Sequence, residues 1–111
     1  MRVLLDECLP IDFRHELSGH EAHTVQWAGF KGKKNGELLR AAESAGYEVL
    51  LTVDQGIPYQ ASGGARKTVA VIVLRSRTNQ LEDLRLLAGP VLDALASIAP
   101  GQIVTVETAS L

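Results

Sequence analysis

Two runs in the middle of the chain are apolar on both faces, and they constrain the fold more than any other feature. The first run is YEVLLTV, residues 47–53, in which only Glu48 and Thr52 interrupt the apolar pattern. The second is TVAVIVL, residues 68–74, the most β-prone segment of the sequence. A strand that helices cover on both faces is apolar throughout, whereas a half-exposed strand alternates. The two runs therefore predict central strands of a parallel sheet.

Shorter strand-like and helix-like segments alternate around these runs. Further strands are predicted at residues 3–5, 23–25 and 103–106, and helices at residues 10–17, 37–45 and 81–98. Strands that alternate with helices at these spacings imply right-handed crossovers and a parallel sheet with helices on both faces. We therefore expect a three-layer α/β/α sandwich with a mostly parallel sheet of four or five strands, in which residues 3–5, 49–53 and 69–74 are central.

Length and composition limit the chain to one domain. With 111 residues, 46% of them hydrophobic, it can bury a core without disulfides or structural metals, so residues 1–111 are taken as a single domain. The single cysteine, Cys8, cannot form an internal disulfide. The apolar run near Met1 is too short for a secretion signal or a membrane span. We expect a cytoplasmic protein without membrane contact.

The net charge of −2 gives no global signature of nucleic-acid binding. The cationic side chains are nevertheless grouped along the chain. The groups are Lys31, Lys33 and Lys34, then Arg66, Lys67, Arg75 and Arg77. From the residues alone, two interpretations remain open: solvated loop charges, or a rim that binds phosphate groups.

Acidic residues follow two of the predicted strands. Asp6 and Glu7 come after the first strand, and Asp54 comes after the strand at residues 47–53. Parallel sheets bind ligands outside the carboxyl ends of their strands, near the point where the strand order reverses. We expect Asp6 and Asp54 to lie side by side there. Glu37, in the first turn of the second helix, should begin at the same rim.

A cluster of carboxylates repels itself and loses hydration, so a bound cation commonly accompanies it. Oxygen ligands favour Mg²⁺ or Mn²⁺, and magnesium suits phosphodiester chemistry. Taken singly, Asp6 or Asp54 could be only a turn former, and Glu37 only a favourable first-turn acid. Thr52 could be a hydrogen-bond donor to the site or simply a β-former.

Two motifs, taken in order, resemble the small PIN-like domain proteins, which are allied to the ribonuclease toxins of bacterial toxin–antitoxin pairs. The first is Asp6-Glu7-Cys8-Leu9-Pro10, where those proteins typically have Asp-Glu-Asn-Leu-Pro. The second is Leu-Thr-Val-Asp at residues 51–54, where they have a strand ending Thr-x-Asp. The resemblance spans nearly the whole chain, including residues 34–39 and 71–84. Each motif is short, and the specificity lies in their order and spacing.

The resemblance implies a PIN-like fold with an acidic pocket that holds Mg²⁺ or Mn²⁺ and hydrolyses RNA phosphodiesters. Carried over by position, the catalytic metal ligands are Asp6, Glu37 and Asp54, with Glu7 as a further acid and Thr52 and Asn35 as supporting residues. The chain departs from the pattern at Cys8, where asparagine is usual, at Asn35, where an acid is often found, and at Gly56, where many relatives have a second aspartate.

The implied partners are an RNA substrate and a small antitoxin protein, and a homodimer is left open. The residues expected to contact RNA phosphates are Lys31, Lys33, Lys34, Arg66, Lys67, Arg75 and Arg77. No periodic pattern buries Trp27 or Phe30, so we expect them to be exposed apolar contacts for the partner. Trp27, Phe30 and Tyr59 could instead stack on bases or anchor loops against the core.

Two other functions fit part of the pattern. One is a non-catalytic PIN-like module that only binds RNA or a protein. The other is a phosphoacceptor receiver domain, which also carries two acids after its first strand and an aspartate after its third. A receiver needs a lysine after its last strand, whereas here Val106 is followed by Glu107.

Overall fold

The computed structural model describes residues 1–54 and 68–107, with the exception of the Asn35 side chain. The described residues form a sheet of five strands in the order β2-β1-β3-β4-β5, and every neighbouring pair is parallel. The strands are β1 (Arg2–Leu5), β2 (Glu21–Thr24), β3 (Val49–Thr52), β4 (Ala70–Arg75) and β5 (Ile103–Glu107). The predicted parallel sheet and its three central strands are confirmed.

The α-helices of the described residues are α1 (Val25–Ala28), α2 (Asn35–Ser44), α3 (Leu81–Leu84) and α4 (Ala88–Ser97). The described residues also form two 3₁₀ helices, Ile11–Glu16 and Arg85–Leu87. Within these two stretches of chain, no helix is both long and apolar enough to cross a membrane.

Successive residues of the central strands enter two separate cores, because side chains of a strand point alternately to opposite faces. Leu5 and Leu51 belong to the core beneath the first 3₁₀ helix, α3 and α4, where Phe13 is fully buried. Leu4 and Leu50 belong to the other core, beneath α1 and α2. The sheet is therefore the middle layer of a three-layer α/β/α sandwich, as the doubly apolar strands predict.

The strand order reverses between β1 and β3. The chain places β2 on one side of β1, and then β3, β4 and β5 on the other. Leu5 of β1 lies opposite Leu51 of β3, and the backbone N–H of Asp6 donates a 3.0 Å hydrogen bond to the Leu51 carbonyl oxygen. The carboxyl ends of these two strands thus flank the crevice in which doubly wound folds bind their ligands.

The short helix α1 is absent from the sequence-based prediction, which continued β2 to residue 25. The hydroxyl oxygen of Thr24 accepts a 3.1 Å hydrogen bond from the Trp27 backbone N–H and so caps the helix. Gly29 ends it with φ of 83°, a left-handed conformation that favours glycine. These capping residues were visible in the sequence, but the turn between them was too short to show helical periodicity.

The long helix predicted at residues 81–98 is divided in two. The predicted apolar face is confirmed, since the structure buries Leu84, Leu87, Val91 and Leu95. Pro90 lies in the first turn of α4, where its missing N–H cannot continue the preceding turn and its ring crowds the carbonyl four residues earlier. The 3₁₀ helix therefore separates α3 from α4.

Replacement of Leu51 by alanine should test the core beneath the 3₁₀ helix and α4. Leu51 is completely buried at the centre of that core. We expect Leu51→Ala to lower the free energy of unfolding by about 2 to 5 kcal/mol, measured by urea denaturation. Leu86→Ala is the matched control, because Leu86 is exposed, and it should change stability by less than about 0.5 kcal/mol. Equal losses in both variants would contradict this packing.

Candidate functional site

A cleft of about 250 Å³ opens at the carboxyl ends of β1 and β3. Its lining residues are Asp6, Glu7, Cys8, Lys33, Lys34, Leu38 and Asp54. Three acidic residues and two lysines therefore line one cleft. The structure thus brings Asp6 and Asp54 together at the crevice where the strand order reverses, although they are far apart in sequence.

The Asp6 carboxylate is held at both oxygens. Its Oδ1 accepts a 2.8 Å hydrogen bond from the backbone N–H of Glu7. Its Oδ2 accepts one from the Thr52 hydroxyl at 2.8 Å and one from the Cys8 thiol, whose Sγ is 3.7 Å away. A carboxylate oxygen has two lone pairs, so within the described residues Oδ1 retains one that could bind a cation.

Thr52 connects the two acids. It is 0% exposed, at the end of β3, and its hydroxyl donates to Asp6 while accepting a 3.0 Å hydrogen bond from the Asp54 backbone N–H. Buried polar groups are costly unless they are hydrogen-bonded, and here both roles of the hydroxyl are used. Of the two interpretations of Thr52 from sequence, the structure supports the hydrogen-bonding one.

Glu7 fixes the lysine-containing loop beside the acids. Its Oε1 accepts a 2.8 Å hydrogen bond from the backbone N–H of Gly32. That bond joins the end of β1 to the loop that carries Lys31, Lys33 and Lys34. No sequence pattern predicts this contact, because it joins residues that belong to two different loops.

Cys8 behaves as a structural thiol. Burial raises the pKa of its thiol above the ordinary value, and the negative charge of Asp6 acts in the same direction. These effects outweigh the hydrogen bond at the Val53 backbone, which lowers the pKa. The protonated thiol is a poor nucleophile and a hydrogen-bond donor to Asp6.

Glu37 and Asn35 both lie at the start of α2. Glu37 lies in the first turn of α2, but it is not among the residues that line the cleft, its side chain is 61% exposed, and its carboxylate lies 3.5 Å from the Lys33 ammonium. Asn35 is the first residue of α2, and Lys34 occupies its N-cap position. The Asn35 side chain lies outside the described part of the structure.

The predicted phosphate-binding residues are only partly assembled. Lys33 and Lys34 line the cleft, and Lys31 is exposed in the same loop. Arg75 ends the neighbouring strand β4 at the same edge of the sheet, 3.8 Å from Glu107, and Arg77 follows two residues later. Arg66, Lys67, Gly56 and Tyr59 lie outside the described residues.

The cleft contains two aspartates that could act as ligands of a divalent cation. Among the described residues, no group of three or more histidine, cysteine or acidic side chains is placed to hold a metal ion. Magnesium needs only one or two carboxylates directly, since it retains several of its waters. Asp6 and Asp54 supply two, and the cleft has room for a partly hydrated ion.

A second cleft, of about 270 Å³, lies at the opposite, amino-terminal edge of the sheet. It is lined mainly by apolar groups such as Met1, Tyr47 and Ile98, together with Glu43 and Glu48. Among the described residues of the two linings, only that of the first cleft combines acids with lysines, namely Lys33 and Lys34.

An aromatic cluster lies at the edge strand β2, and no sequence pattern predicts it as a unit. The rings of His23 and Trp27 lie 4.0 Å apart, and His23 Nδ1 is 2.8 Å from the Tyr47 hydroxyl. Trp27 is exposed, as predicted, but Phe30 is partly buried with its ring edge-on to that of Tyr47. His23 and Trp27 are four residues apart in the sequence. The helix α1, which carries Trp27, is too short for helical periodicity to predict it.

Replacement of Thr52 by valine should test the connection between the two acids. Valine keeps the shape but removes the donor to Asp6 and the acceptor for the Asp54 N–H, so we expect a loss of about 1 to 3 kcal/mol in unfolding free energy. Thr105→Val is the matched control, because Thr105 is exposed on β5 and should tolerate valine. The measurement is urea denaturation at constant pH. A Thr52→Val protein as stable as wild type would show that the connection contributes nothing.

No family model, curated protein or solved structure matches this chain. The comparisons therefore leave the resemblance to PIN-like proteins as a prediction, and function must be argued from the site itself.

Proposed function

We propose that the protein is a metal-dependent ribonuclease of the PIN-like type that acts as the toxin of a bacterial toxin–antitoxin pair. The observation that carries the proposal is the cleft itself, in which Asp6 and Asp54 lie at the ends of neighbouring parallel strands with Lys33 and Lys34 beside them. Acids that can hold a cation, placed next to cations that can hold a phosphate, are what phosphodiester hydrolysis requires.

Asp6 and Asp54 would hold the magnesium or manganese ion. The Thr52 and Cys8 side chains orient the Asp6 carboxylate before any ligand binds, so little reorganisation is needed. When bound, the ion would neutralise charge on the phosphate and lower the pKa of water, which promotes hydrolysis of a P–O bond. Glu7 contributes by holding the lysine loop, and Glu37 by its ion pair with Lys33.

The lysines supply the affinity for the phosphate backbone. Lys34 is exposed in the cleft, and Lys33 is held beside it by Glu37. Arg75, at the end of the neighbouring strand β4, and Arg77, two residues later, would contact phosphates further along the chain of nucleotides. Because these contacts release counterions, RNA affinity should fall as the salt concentration rises.

The strand order favours one of the alternatives, the receiver domain. The order β2-β1-β3-β4-β5 is the flavodoxin-like order that receiver domains also have. The residue at the carboxyl end of β5 argues against a receiver domain. Glu107 occupies it and pairs with Arg75, so this position carries a carboxylate where a receiver requires a lysine. A non-catalytic RNA-binding module shares the same cleft and differs only in whether RNA is cleaved.

Replacement of Asp54 by asparagine should separate the enzyme from both alternatives. Asparagine keeps the shape and removes the charge that would hold the cation, so magnesium-dependent cleavage of a panel of cellular RNAs should fall by on the order of 100-fold or more. Asp93→Asn is the matched control, because Asp93 is exposed on α4 and outside the cleft. Its cleavage rate should equal that of wild type. Urea denaturation of both variants checks that the fold is kept.

The same pair of variants tests the toxin assignment in cells. Induced expression of the wild-type chain and of Asp93→Asn should arrest growth, whereas Asp54→Asn should not. Co-expression of a small protein encoded beside the toxin should relieve the arrest by forming a complex. Wild-type protein that binds RNA but cleaves none in Mg²⁺ or Mn²⁺ would favour the binding module, and incorporation of phosphate at Asp54 from a phosphoryl donor would favour the receiver.

A further inference from the structure

The turn after β1 gives its two central side chains different partners. The Leu9 N–H donates a 3.0 Å hydrogen bond to the Asp6 carbonyl oxygen and closes a turn in which Glu7 and Cys8 are central. The Cys8 thiol donates to Asp6 Oδ2, with Sγ 3.7 Å away. The Glu7 carboxylate instead accepts a 2.8 Å hydrogen bond from the Gly32 N–H. Cys8 thus contacts the acid of the turn, whereas Glu7 contacts the loop that precedes α2.

The lysine loop, residues 29–34, joins α1 to α2 and is attached at three points. At its start, the Phe30 N–H donates a 2.9 Å hydrogen bond to the Val25 carbonyl oxygen, and Phe30 packs against the core beneath α1 and α2. At its end, Lys34 is the N-cap residue of α2. Between these points, the bond from Gly32 to Glu7 ties the loop to the turn after β1. Loss of this bond would free the middle of the loop while both ends stay in place.

Gly32 adopts a backbone conformation that few other residues tolerate. Its φ is 88°, in the left-handed region that favours glycine. A Cβ there would meet no atom within 4 Å beyond its chain neighbours, so conformation rather than space favours glycine. The next residue, Lys33, lines the cleft and donates its N–H to the Phe30 carbonyl oxygen at 3.0 Å. The bond to Glu7 therefore acts on the backbone directly beside a lysine of the cleft.

We propose that Glu7 is a positioning residue for the substrate, which fixes the lysine loop beside the cleft, and that it does not hold the cation. The inference rests on the proposed function, because it takes the phosphates of RNA to be the groups that the lysines bind. A metal ligand acts through its negative charge, whereas an acceptor for a backbone N–H needs only an oxygen lone pair. Glutamine at this position separates the two roles, because it loses the charge and keeps the acceptor oxygen.

Anisotropy of a labelled RNA oligonucleotide in EDTA measures binding without metal or cleavage. A loosened loop must be ordered when RNA binds, so Glu7→Ala should bind about 10-fold more weakly than wild type. Glu7→Gln has the same net charge as Glu7→Ala and should stay within about 2-fold of wild type, because its amide oxygen can accept the Gly32 bond. Gly32→Ala should resemble Glu7→Ala, and the double variant should be no weaker than either, because all three act on one contact.

Metal binding and turnover distinguish positioning from ligation. Glu7→Ala and Glu7→Gln should both keep the Mn²⁺ affinity of wild type to within about 5-fold, the effect of losing a nearby charge that water screens. With Mg²⁺ present, Glu7→Ala should raise KM for RNA and leave kcat nearly unchanged, because it removes ground-state binding and no contact to the reacting atoms. Glu7 is exposed, and urea denaturation should show that its variants keep the fold.

Three results would overturn the proposal. They are a larger loss of Mn²⁺ affinity shared by both Glu7 variants, unchanged RNA affinity in Glu7→Ala, and equal loss of RNA affinity in Glu7→Ala and Glu7→Gln. Failure of the proposed function gives a different pattern. If the RNA affinities follow the expected order but neither metal supports cleavage by wild type, the positioning role stands and the ribonuclease proposal fails. If wild type cleaves RNA and Glu7→Ala has the same KM, the reverse holds.

Discussion

The hydrogen bonds of the buried Thr52 hydroxyl hold the candidate site together. Asp6 and Asp54 are separated by most of the first half of the chain, and they meet only because β1 and β3 are neighbours in a parallel sheet. Thr52 then donates to one acid and accepts from the backbone of the other. In the low-dielectric interior, such a hydrogen bond is strong when satisfied and costly when broken, so the Asp6 carboxylate is closely fixed relative to the Asp54 backbone.

The rest of the carboxyl edge depends on this arrangement. Glu7, the residue after Asp6, holds the Gly32 backbone and with it the lysine loop, while the Thr24 cap starts the short helix that presents Trp27. Each of these contacts begins at the end of a strand, where side chains leave the apolar core and become free to make polar contacts. A rigid, doubly apolar sheet therefore supports a polar rim whose parts are positioned by single hydrogen bonds.

The sequence predicted most of the sheet, because residues 47–53 and 68–74 are apolar on both faces and leave no other environment for those strands. It also predicted that Asp6 and Asp54 would be neighbours, since the rule for carboxyl ends of parallel strands needs only their order. It did not predict that Glu37 would pair with Lys33 and lie outside the lining of the cleft. Nor did it predict the Glu7–Gly32 bond or the His23–Trp27 stack, because contacts between loops and four-residue helices have no periodic signature.

The central claim is that Asp6 and Asp54 together hold one divalent cation. Titration of ¹⁵N-labelled protein with Mn²⁺ tests it directly, because the paramagnetic ion broadens the resonances of nearby amides. The account predicts that the amides of Asp6, Glu7 and Asp54 broaden first, and that excess Mg²⁺ restores them. Broadening that begins at exposed acids elsewhere, such as Asp12 or Asp93, or that spreads evenly over the acidic surface, would contradict it.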